Sequence, residues 1–138
     1  MRLEITRKSE LALRAARELA HAGGTRKGQA LATAVGTTPA FLAQALTPLV
    51  RAGWLRSEPG PRGGYTLVAD ATLLSVLELI EAVEGPTANA RCVLSTGPCA
   101  QVQRTAPCAL HEAWSGAQRS LLAQLAAAPL IERRRAVR

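Results

Sequence analysis

The sequence predicts a mainly α-helical protein with a small β-hairpin: a winged helix-turn-helix unit followed by a long C-terminal dimerisation helix. Three observations carry that expectation. Apolar residues make up 48% of the chain but aromatics only 3%, an Ala- and Leu-rich balance that favours helices over a β-rich sandwich. Three segments with helical apolar spacing precede two short strand-like runs. Glycine and proline sit at the boundaries between them.

The elements follow in order. Residues 9–22 place Leu11, Ala15, Ala16 and Leu19 on one face, and Gly23-Gly24 stops that helix. His21 near its end reads as a partner of the helix dipole rather than a ligand. A short second helix fits 29–35 and ends at Gly36. Thr37 and Thr38 supply an N-cap, and Pro39 occupies a first helical position where its missing N–H costs nothing. A third helix therefore runs from about Pro39 to Arg51, with Gly53 ending it. The runs 54–57 and 65–68 flank the turn-forming stretch 58–64 and read as a hairpin. Three helices and a hairpin are the order of a winged helix-turn-helix, with 39–51 as recognition helix.

Ser75 and Glu78 form a capping-box pattern that opens a further helix, which ends at Gly85-Pro86. Glu78, Glu81 and Glu84 repeat at i, i+3, i+6 and read as a solvated carboxylate face. Residues 86–107 lack periodicity and read as an irregular loop, unusual at that length unless functional. From about Cys108 a long helix carries Leu110, Trp114, Ala117, Leu121 and Leu125 on one stripe, and Pro129 closes it. The organisation expected is thus a DNA-binding unit over 1–85, a cysteine-bearing loop over 86–107, and a dimerisation helix with a basic tail over 108–138. The apolar stripe points to a homodimer, because helix-turn-helix readers meet DNA as two-fold pairs.

The net charge of +7 is uneven. Residues 1–68 hold ten Lys and Arg against four Asp and Glu, whereas 69–138 hold seven against six. A basic first half points to a polyanion partner, double-stranded DNA in this context. No apolar run approaches the ~20 residues of a membrane span, and the charged start lacks a secretory core. The expectation is a cytoplasmic protein without a membrane partner. No nucleophile-and-base pairing is evident with two histidines, and 60–64 is not a P-loop because no Gly-Lys-Ser/Thr follows. The chain does not read as an enzyme.

Cys92, Cys99, Cys108 and His111 form the strongest chemical signal, with six, eight and two residues between successive members. Thiolates and an imidazole suit iron–sulfur clusters and borderline metals. Cys108 and His111 lie one helical turn apart on one face. Spacing alone fits zinc nearly as well as a cluster.

The chain resembles the iron–sulfur cluster regulators of the Rrf2 type over roughly residues 1–130. The resemblance lies in 5–14 (ITRKSELALR), 41–44 (FLAQ), 49–53 (LVRAG), the glycine-rich 60–65 (GPRGGY), the helix from Ser75 to Gly85, Ala90 to Cys92, and 108–114 (CALHEAW). It implies a winged-helix dimer in which Cys92, Cys99 and Cys108 ligate a cluster. In one branch a histidine at the place of His111 completes a 2Fe–2S site, the reading favoured here. In another an acidic residue of the partner's first helix completes a 4Fe–4S site, a role for which Glu10 of the partner subunit is placed.

Candidate DNA contacts follow from the winged-helix reading. Thr38, Ala40 and Gln44 start the recognition helix, where side chains meet base edges, and Gln44 can pair bidentately with adenine. Arg62 at the wing tip can reach a phosphate or the minor groove, and Gly63 lets backbone approach closely. Arg2, Arg7, Lys8, Arg14 and Arg51 are candidate phosphate contacts.

Overall fold

A computed structural model describes residues 3–87 and 108–133. The element order is α1 (Arg7–Ala22), α2 (Gly28–Val35), α3 (Pro39–Arg51), β1 (Leu55–Glu58), β2 (Gly64–Leu67), α4 (Val76–Glu84) and α5 (Ala109–Ala127). This is the helical architecture with one antiparallel hairpin that the sequence predicts.

α1 begins at Arg7, earlier than its apolar spacing indicates. Thr6 caps it, accepting from the Ser9 N–H, and Gly23 ends it in the left-handed conformation that a Cβ disfavours. Its apolar face inserts Leu11, Ala12, Ala15, Ala16 and Leu19 between α2, α3 and α4. The alanines let these helices approach closely around a leucine-rich core. Leu31, Val35, Leu42, Leu46, Leu49 and Leu79 complete that core.

The helix-turn-helix junction forms as its residues dictate. Gly36 adopts φ 73° to leave α2, and the Thr38 hydroxyl accepts from the Phe41 N–H to start α3. α3 continues through Pro48, whose ring removes one main-chain donor within the last turn. The hairpin pairs Leu55 with Leu67 and Glu58 with Gly64. It sits one residue from the expected strand positions.

Two connections were not visible as sequence patterns. Arg26, between α1 and α2, forms an antiparallel bridge with Tyr65, exchanging both main-chain hydrogen bonds at 2.9 and 2.8 Å. That bridge ties the wing to the helices. After α5 the chain returns: Ala128 O accepts from Val76 N–H, Leu130 N–H donates to Leu74 O, and Leu130 is fully buried. The C-terminal segment therefore supplies a core side chain to the unit built by residues 7–84.

The carboxylate row on α4 is largely solvated, with Glu78 and Glu84 exposed and Glu81 half-buried, and each carboxylate also accepts hydrogen bonds. Glu78 closes the capping box with Ser75. Glu81 accepts from the Thr87 N–H at 3.1 Å. Glu84 accepts from the Thr6 N–H and hydroxyl and from the buried Ser9 hydroxyl, so α4 ends on the start of α1. The row shares a helix side, as its spacing requires, and at its C-terminal end Glu84 meets donors from the start of α1 while staying exposed.

Candidate nucleic-acid interface and cysteine segment

α3 presents Ala40, Gln44, Thr47 and Arg51 to solvent, at i, i+4, i+7 and i+11, while Leu42, Ala45, Leu46 and Leu49 face the core. Thr38 is exposed at its N-cap. Four of the expected contacts, Thr38, Ala40, Gln44 and Arg51, thus lie along one open edge of a helix anchored from behind. Phe41 stands beside them, 39% exposed.

Arg62 lies exposed in the turn between Gly60 and Gly63, closed by the Gly63 N–H donating to Gly60 O at 3.0 Å. Gly63 itself is buried. A Cβ there would lie 2.0 Å from Glu58 O, so glycine is required by the closing of the hairpin on itself. Gly64, at φ 146°, would place a Cβ 2.2 Å from Arg26 O, in the middle of the bridge that holds the wing. Along β1, two residues apart on one face of the strand, Arg56 pairs with Glu58 at 2.8 Å.

On α1, Lys8 is half-buried. Glu10 accepts from Arg7 at 2.8 Å and lies 3.5 Å from Arg14. The Arg7 hydrogen bond, aided by the charge of both arginines against a desolvation penalty, holds the Glu10 carboxyl below its ordinary range. Arg14 also edges, with Arg17, Glu18 and His21, an open groove of about 240 Å³ beside Ala34 and Val35. Arg2 lies outside the described residues.

Of the four expected cluster ligands, Cys108 and His111 are described. Cys108 is the N-cap of α5, a half-buried free thiol, and His111 is half-buried one turn further on, with its Nε2 3.4 Å from the Ser115 hydroxyl. The two donors share the start of one helix, and a thiol beside an imidazole is donor chemistry that fits an iron–sulfur cluster. Cys92 and Cys99 lie outside the described residues, as do most of the loop 86–107 and the tail beyond Arg133. Among the described residues no group of three or more His, Cys, Asp and Glu side chains converges as a metal site.

The order of helices, wing and returning α5 matches known proteins. The family described as Rrf2, iron-dependent transcriptional regulator, matches residues 5–131. This chain belongs to the Rrf2 family. It is 33% identical over 118 residues to an HTH-type transcriptional regulator named rrf2-like from Rhodobacter capsulatus, covering 80% of this chain and 79% of that one. Two solved structures share the Rrf2 fold with it. CymR, the global cysteine regulator of B. subtilis, superposes with a TM-score of 0.76 at 24% identity, over 94% of each chain. IscR of T. potens superposes with a TM-score of 0.71 at 21% identity, over 93% of this chain and 83% of that one. An Rrf2 protein is a DNA-binding transcriptional regulator, not an enzyme. Among the described residues no helix is long and apolar enough to cross a membrane.

Proposed function

We propose that this Rrf2 protein is a homodimeric repressor-type regulator whose grip on its operator is set by an iron–sulfur cluster. Cys92, Cys99, Cys108 and His111 are its ligands in this reading, and 2Fe–2S is favoured over 4Fe–4S. The observation that carries it is Cys108 at the N-cap of α5 with His111 one turn on. The Glu10 alternative from the partner subunit is disfavoured by the two arginines that already hold that carboxylate. When bound, the cluster supplies a centre whose oxidation state and integrity respond to redox conditions, nitric oxide and iron supply.

The chain's own residues connect that centre to DNA. A cluster held by Cys92, Cys99, Cys108 and His111 would tie segment 86–107 to the start of α5. The far end of α5 is keyed into the winged unit through Leu130 and the Val76 to Ala128 hydrogen bond. Leu110, Trp114 and Leu121 are 40%, 40% and 45% exposed on α5 in the single chain, an apolar stripe that supports pairing with a second copy. A change at the start of α5 therefore acts on the element that sets the spacing of two recognition helices. In this reading Thr38, Ala40 and Gln44 meet base edges. Arg62 reaches the backbone or minor groove from a wing whose shape Gly63 permits, and Arg51 and Lys8 meet phosphates.

In a second reading the same cysteines act by thiol oxidation or bind zinc, without a cluster; a solved CymR oxidized form from Staphylococcus aureus, 25% identical, supports the thiol version. An ultraviolet–visible spectrum of anaerobically purified protein, with iron and sulfide assays, beside a His111→Ala variant separates the readings. Visible bands with about two irons per chain, altered in the variant, support 2Fe–2S ligation by His111. About four irons and an unchanged variant spectrum move the fourth ligand away from His111, to Glu10 of the partner subunit or elsewhere. A colourless protein lacking iron and sulfide after reconstitution removes the cluster and leaves the zinc or thiol reading.

A further inference from the structure

Phe41 is the chain's one phenylalanine, and it stands in the first turn of the helix that reads DNA. It is 39% exposed and does not belong to the core cluster or to the partly buried residues packed against it. Its neighbours on α3 do belong: Leu42, Ala45, Leu46 and Leu49 are fully buried, and Val50 packs at the margin. The backbone from which the ring departs is fixed, because the Phe41 N–H donates to the Thr38 hydroxyl at 3.3 Å. Phe41 precedes Gln44 by three residues, so the two side chains are neighbours on the helix surface. An aromatic ring is thus held at the border of the edge that carries Ala40 and Gln44, outside the buried core cluster.

The major groove offers an apolar side chain one sequence-specific partner, the C5-methyl group of thymine. Phosphates, sugars and the hydrogen-bonding base edges give a phenyl ring nothing directional. We propose that Phe41 is a specificity-determining residue that reads a thymine methyl. The thymine lies roughly one base-pair step from the adenine engaged by Gln44, because three residues advance about 4.5 Å along a helix. This inference rests on the placement of α3 in the major groove.

The test replaces one methyl group at a time. Duplexes selected from a random library by the full-length protein are resynthesised with each thymine changed to deoxyuridine. Affinities are then measured for the wild type, Phe41→Ala, Phe41→Leu and Gln44→Ala. The wild type is expected to lose about fourfold in affinity for each methyl removed at one symmetry-related pair of thymines, the burial free energy of a single methyl group. Phe41→Ala binds thymine and deoxyuridine equally at that position, and Phe41→Leu retains part of the difference. Gln44→Ala keeps the methyl dependence and loses the preference for the neighbouring adenine. The proposal is overturned if no thymine is methyl-sensitive for the wild type, or if Phe41→Ala keeps the full difference. If Gln44→Ala leaves every base preference unchanged as well, α3 does not read the groove, and the placement on which the inference rests falls with it.

Discussion

Glu84 shows how one side chain can join two distant parts of the chain. Its carboxylate receives three donors from Thr6 and Ser9, and Ser9 is fully buried. Burial opposes its ionisation, but the Ser9 hydroxyl and the two Thr6 donors outweigh that penalty and hold its carboxyl below the ordinary value of 4.5. A depressed carboxylate pKa stabilises the fold above the unfolded value, and that contribution is lost as pH falls through the folded one. Glu84→Gln is therefore expected to lose less melting temperature than the wild type between about pH 5 and pH 3. Glu84→Ala leaves the buried Ser9 hydroxyl without its acceptor and should cost about 1–3 kcal/mol in denaturant unfolding at neutral pH. The carboxylate spacing on α4 was legible in the sequence, but the donors lie 75 and 78 residues away, beyond the reach of any local pattern. Cys108 and His111 were legible because their separation is itself local.

At the level of elements, local chemistry made most boundaries readable. Thr38-Pro39 starts α3, the Ser75–Glu78 box starts α4, and Gly23 and Gly36 end α1 and α2. What escaped were contacts without a period. Tyr65 bridges to a single residue, Arg26, and Leu130 follows the proline that closes the last helical pattern. Each gives a prediction. Leu130→Ala should destabilise the winged unit by about 2–5 kcal/mol, as loss of a fully buried leucine does, read as a lower denaturation midpoint with an unchanged slope. Gly64→Ala should displace the bridge to Arg26, because a Cβ would lie 2.2 Å from its carbonyl oxygen. The wing then loses its anchor, and DNA affinity should fall at least tenfold while the far-ultraviolet helical signal stays close to that of the wild type. A variant that binds as tightly as the wild type would show that the bridge does not position the wing.

Across the whole molecule, a basic winged unit and a helix with an apolar stripe meet through α4 and the returning chain at Ala128 to Leu130, and a cysteine-bearing segment links them in sequence. The family, the DNA-binding role and the fold were legible because they depend on element order and a few specific motifs. The cluster reading remains anchored on two described donors, since Cys92 and Cys99 lie outside the described residues. If the wing meets backbone, Arg62→Ala should weaken binding and lower the salt slope by about two per dimer, one for each wing, in anisotropy titrations over a range of salt. The central claim is that the state of the cysteine site sets operator affinity. It is tested most directly by titrating one labelled operator with iron-loaded and iron-stripped protein from the same anaerobic preparation, at one salt concentration. The account predicts at least a tenfold difference in affinity, about 1.4 kcal/mol, abolished by Cys108→Ala. Equal affinities for protein shown to carry iron and sulfide and for the same protein stripped of both would contradict it.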